Sequence, residues 1–193
     1  MNATLLLGLF IFLTAHSVRI VADDWRSAMI VRLGPLPWKG LIAILSLTGF
    51  GLLVWGYGMA RNAPIELWSP PRWTGHLAAL LTLPAFILLA AAYVPGNRLK
   101  AVVGHPMVAG VKLWALSHLL ANGNLADVLL FGSFLVWATL SFSAARRRDR
   151  LAGTRYPAGP LLRTVAAIFI GGLAWVIFAF TLHEILIGVR PFS

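Results

Sequence analysis

The sequence predicts an all-α, polytopic membrane protein with six transmembrane helices in one bundle. Composition is the first reason: 59% of the 193 residues are hydrophobic and only 11% are charged, where a soluble domain carries about a quarter charged residues. The mean hydropathy is +0.82. The second reason is that apolar stretches long enough to cross a bilayer recur six times along the chain. The third is that lysine and arginine gather on alternate connectors. There is no internal repeat, low-complexity tail or second domain, so residues 1–193 read as a single membrane domain.

The first span is expected at about Ala3 to Val21, with no basic segment ahead of it and no small-residue cleavage site after it. It therefore reads as an uncleaved helix rather than a signal peptide. His16 and Arg19 share a face near its end. The connector DDWRSAMIVRLGPLPWK is rich in turn formers, with room for a short interfacial helix. The second span, about Gly40 to Met59, carries Gly49, Gly51, Gly56 and Gly58. Pairs seven apart fall on one face and permit a neighbouring backbone to come close. The connector RNAPIELWSPPRW contains three prolines and two interface tryptophans, Trp68 and Trp73. The third span, Thr74 to Val94, has His76 in its first turn and Pro84 inside, where a kink is expected.

The fourth stretch, Gly104 to Gly123, is the expected centre of the bundle. Pro106 suits a first helical turn, and Asn122-Gly123 suits a left-handed C-cap. At about 100° per residue His118 shares a face with Met107, Val111, Trp114 and Ala115, and Lys112 lies roughly 120° away beside His105. Polar groups in two directions at membrane depth require surrounding protein or a water-filled cavity. A short turn leads to the fifth span, about Leu125 to Ala144, antiparallel to the fourth. The sixth runs from Leu161 to Ile187, with His183 and Glu184 near its end.

Charge sets the orientation. Arg19, Arg26, Arg32, Lys39, Arg98, Lys100 and the arginines at 146, 147, 148, 150, 155 and 163 fall on one side, against Arg61, Arg72 and Arg190 on the other. The positive-inside rule places the first group in the cytoplasm. Both termini then face the periplasm, in the inner membrane if the source is bacterial. The net charge of +10 is read as this asymmetry, and nucleic acid is not an expected partner. The bilayer is.

No phosphate-binding glycine loop, nucleophile elbow or HExxH zinc motif is present. The absence of cysteine excludes disulfides, cysteine-held clusters and CxxCH haem attachment. What remains is five histidines with Lys112 and Glu184. A lone intramembrane histidine is usually a hydrogen-bonding partner for another helix. Several on different spans point towards iron ligation, since imidazole is the usual haem ligand of a protein without cysteine. By rise per residue His76, His118 and His183 lie within about 10 Å of the outer face, and His16 and His105 lie in the cytoplasmic half. Lys112 and Glu184 lie at opposite depths and are not expected to pair.

HSVR at 16–19, the second span WKGLIAILSLTGFGLLVWGYGMAR, and YVPGNRLKAVVGHPM leading into KLWALSHLLANG resemble the NnrU family of bacterial inner-membrane proteins. The resemblance covers essentially the whole chain. It ties the chain to nitric oxide reduction gene clusters, and the family is similar to the plant 15-cis-zeta-carotene isomerase, a haem b membrane enzyme. It implies haem b held by His118 and His16, the positions matching that enzyme's histidines, and a cis–trans isomerisation or redox-linked step on an apolar polyene. Any thiolate found in relatives is missing here. Helix depth instead separates His16 from His118 by roughly 10 Å and pairs His118 with His183 or His76. Lys112 is expected to reach a haem propionate, a substrate group or the cytoplasmic interface. The alternatives are a non-catalytic accessory factor for nitric oxide reduction, with a membrane-protein partner, and histidines serving only as interhelical contacts.

Overall fold

A computed structural model describes residues 3–191, which form helices α1 (Ala3–Val21), α2 (Asp23–Leu33), α3 (Pro35–Asn62), α4 (Trp73–Tyr93), α5 (Arg98–Val103), α6 (Pro106–Ala121), α7 (Leu125–Ala152), α8 (Leu161–Ile177) and α9 (His183–Ile187). A single π turn, Phe178–Leu182, joins the last two. Among the described residues the only extended pairing is an isolated bridge between Glu66 and Asn124.

Five helical stretches are long and apolar enough to cross a membrane: α1, α3, α4, α7 and the combined Leu161–Ile187 segment. This differs from the six expected. The central helix α6 is apolar but only 16 residues long, because Pro106 starts it late and the chain turns extended at Asn122. The outward faces carry large apolar side chains, among them Phe10, Ile44, Leu80 and Phe169, all more than half exposed. Such surfaces suit lipid, not water.

The packing follows one order: α3 on α1, α1 on α7, α7 on α6, α6 on α4, and α4 on α8. Glycine makes the first of these contacts possible. A Cβ at Gly49 would stand 2.7 Å from the Phe12 nitrogen, one at Gly8 would stand 2.6 Å from the Leu53 nitrogen, and Gly56 faces the Leu5 backbone as closely. Gly51 and Gly58, also seven apart, face open space. Only one of the two glycine pairs serves packing.

Other boundaries shift for local reasons. The second span extends to Pro35–Asn62, since Pro35 is accepted in a first turn. The first connector does contain a helix, α2. The arginine run continues α7 as far as Ala152, where Gly153 at φ +63° ends it. Helix α7 begins with a capping box between Asn124 and Asp127. The turn after α6 is not the left-handed cap expected: Asn122 is extended and Gly123 has no positive φ. Gly123 is needed because the Trp68 carbonyl presses where a Cβ would stand, and its own carbonyl accepts from the Leu67 nitrogen at 2.8 Å. The proline-rich connector is thereby pinned to the α6–α7 turn.

At the arginine-rich end Asn97 is fully buried. Its amide donates to the Ala91 and Val94 carbonyls and its oxygen caps α5 at the Lys100 nitrogen, 2.8 Å away. The PGNR motif is thus a structural lock.

Candidate functional site

α1 and α6 both pack on α7, and between them α7 presents Phe131, Phe134 and Trp137 at three-residue spacing. Phe134 meets Phe12 of α1 and Trp114 of α6, each with ring centroids 5.6 Å apart. This aromatic floor carries one histidine from each wall.

The two histidines are built alike. His16 Nδ1 lies 2.7 Å from the Phe12 carbonyl, and its ring stacks on the Phe12 ring at 4.2 Å and 25°. His118 Nδ1 lies 2.8 Å from the Trp114 carbonyl, and its ring stacks on Phe131 at 4.6 Å and 27°. A carbonyl only accepts, so each Nδ1 carries the proton and each Nε2 of the neutral ring keeps its lone pair. That is the form in which imidazole binds iron, with the second nitrogen fixed by a backbone carbonyl. The donor chemistry therefore fits a haem. The levels differ: His118 is abreast of Phe131 and His16 is edge-on to Trp137 at 6.1 Å. Six residues of α7 correspond to about 9 Å along the axis. The offset expected from helix depth is present in the fold.

The remaining histidines divide. His183 follows the π turn and is also held through Nδ1, 2.7 Å from the Val189 carbonyl. π turns recur at functional sites because they rotate the residues that follow. His76 is exposed at the start of α4. His105 uses Nε2 to meet Asp149 at 2.8 Å. That nitrogen is spent, and His105 binds α6 to the end of α7 instead.

Asp149 also accepts from the Tyr156 hydroxyl at 3.2 Å. Burial, and then the neighbouring Asp149 charge, push the Tyr156 phenol above its ordinary range. Lys112 lies about 120° round α6 from His118, with its ammonium 5.5 Å from the Phe142 ring centroid. Glu184 pairs with Arg190 at 2.8 Å, so Lys112 and Glu184 do not meet.

One polar pair and one lone indole of the site region escaped sequence reasoning. Tyr57 donates to Asp127 at 2.5 Å, joining α3 to α7, and Asp127 is 3% exposed. The N-x-x-D spacing at Asn124–Asp127 was a legible signal for the cap; its tyrosine partner, 70 residues away, was not. The other is Trp137, whose indole nitrogen is buried with no partner among the described residues.

No group of three or more His, Cys, Asp or Glu among the described residues could hold a metal ion by itself. Two surface grooves, of about 520 Å³ beside α1 and α2 and about 240 Å³ between α1, α3 and α7, are lined by no histidine.

No curated protein and no solved structure matches the chain. The family model described as NnrU protein matches residues 4–191. Taken with the HSVR and WALSH helices and the lock between them, this nearly complete match shows that the chain belongs to the NnrU family.

Proposed function

We propose that this NnrU-family chain crosses the bacterial inner membrane six times, with both termini periplasmic, and holds one haem b between helices through His118 and His16. The first two and last two residues lie outside the described residues. On this reading it acts in an isomerase-like or redox-linked step on an apolar substrate dissolved in the membrane, such as a polyene. A short α6 is compatible with a sixth span, since α4 and α7 flank it and shield its backbone from lipid.

The observation that carries the reading is the duplicated histidine construction. Each imidazole has its proton fixed by the preceding turn and its plane fixed by a phenylalanine, which leaves one nitrogen aimed by two independent restraints. Haem held there would supply a redox-active, Lewis-acidic iron. The chain's own part is to orient the two imidazoles and to keep water out with Phe12, Trp114, Phe131 and Phe134. His183 is the alternate partner of His118 on depth, and His76 is the more remote one. Lys112 does not share the His118 face, and the reading gives it the cytoplasmic interface, where its ammonium reaches water.

The six-residue offset between the histidines favours a second reading. There the imidazoles serve as ring contacts that hold α1 and α6 on α7, His16 edge-on to Trp137 and His118 stacked on Phe131, and the chain is a non-catalytic accessory or assembly factor in nitric oxide reduction. The visible spectrum of detergent-purified protein from cells given surplus haem separates the two. A Soret band at about one haem per chain is expected. A folded, colourless protein would remove the haem reading and leave the accessory one.

A further inference from the structure

We propose that the groove bounded by α1, α2 and α7 binds one anionic phospholipid of the leaflet on the arginine-rich side. The groove runs along a single face of α1 from Leu9 to Val21, reaches Ala22 at the start of α2, and is walled on the α7 side by Ser133, with a volume of about 520 Å³. Thirteen residues of helix are about 20 Å long, and one leaflet contributes about half of a hydrocarbon core roughly 30 Å thick. The groove therefore has the length of an acyl chain that starts at the interface and ends near mid-membrane.

Its arginine-rich end is marked as interface by tryptophan. Trp25 of α2 lines the groove and meets Trp38 edge-on at 5.9 Å, the pairing expected at headgroup depth. α2 packs on α1 and α3, and Ala22 and Trp25 at its start belong to the groove lining.

The mouth selects the headgroup. Arg148 donates to the Arg19 carbonyl at 3.0 Å, which places its guanidinium where α1 and α7 meet. Arg26 and Arg19 stand 3.7 and 3.8 Å from the same carboxylate, Asp23. Three guanidinium groups against Asp23 and Asp24, with Arg147 and Arg150 following on α7, leave the mouth positive. Basic pockets between membrane helices on this side take acidic headgroups.

The test uses the full chain in mild detergent, with bound lipid read by native mass spectrometry during titration with phosphatidylglycerol or phosphatidylcholine. Wild type is expected to retain phosphatidylglycerol preferentially. Arg148→Gln and Arg26→Gln should each weaken that retention by about fivefold without changing phosphatidylcholine. Thr14→Trp fills the groove from an exposed wall position and should lower retention of both lipids while helicity is unchanged. Equal retention of the two lipids by wild type, or undiminished lipid on Thr14→Trp, overturns the proposal. So does displacement by glycerol phosphate alone, or a dimer that Thr14→Trp abolishes while no lipid is held.

Discussion

His16 and His118 each commit Nδ1 to the carbonyl one turn back, so removal of either ring removes one aimed nitrogen and little helix stability. The residues around them are less forgiving. Asp127→Ala removes the acceptor of the half-buried Tyr57 hydroxyl, and a hydrogen bond to a charged group contributes about 1.5–3 kcal/mol. Thermal unfolding in detergent should show that loss, with a smaller one for Tyr57→Phe, since Asp127 keeps the Asn124 nitrogen at 3.2 Å. At the arginine-rich end Tyr156 gives a pH signature. Its hydroxyl has a raised pKa in the fold against an ordinary value of 10.0, so the unfolded chain loses this proton first. The associated stability is complete below pH 10.0 and declines as pH rises through the folded value. Tyr156→Phe should flatten the alkaline limb of a melting-temperature profile, and an unchanged limb would contradict the assignment.

Helix positions were legible from apolar length, proline and glycine, and the bounds Ala3–Val21 and Leu161–Ile187 were too, but the ends of α3 and α7 were not. Polar arginines at 146–150 read as a connector, yet they extend α7, because a charged helix is stable once its apolar half is anchored in neighbouring helices. The start of α6 was legible at Pro106, whereas no local pattern announced the π turn before His183. The glycine spacing of α3 was legible only as an alternative between two pairs, and the fold chooses Gly49 and Gly56. Gly49→Leu or Gly56→Leu should force α1 and α3 apart and lower folded yield in the membrane. Gly51→Ala and Gly58→Ala should be neutral or stabilising by up to about 1 kcal/mol, the ordinary helix preference for alanine. Equal damage from both pairs would show that α3 packs on another face.

At the scale of the whole molecule, charge asymmetry predicts a reporter fused after Arg150 to be cytoplasmic and one after Arg61 to be external; the reverse would overturn the orientation. The histidine candidates were legible as residue types, and the resemblance chose among them. Their shared placement needed the fold, since Phe134 of α7 meets Phe12 of α1 and Trp114 of α6, and His118 stacks on Phe131 of α7. The most direct measurement is the low-temperature electron paramagnetic resonance spectrum of the ferric protein, wild type beside His118→Ala, His16→Ala and His183→Ala. Two imidazoles on one iron give a low-spin signal in wild type that His118→Ala and His16→Ala each convert to high spin or abolish, while His183→Ala keeps it. Conversion by His183→Ala with His16→Ala unchanged would contradict the His16–His118 pair, and a wild type without any haem signal would contradict the haem reading altogether.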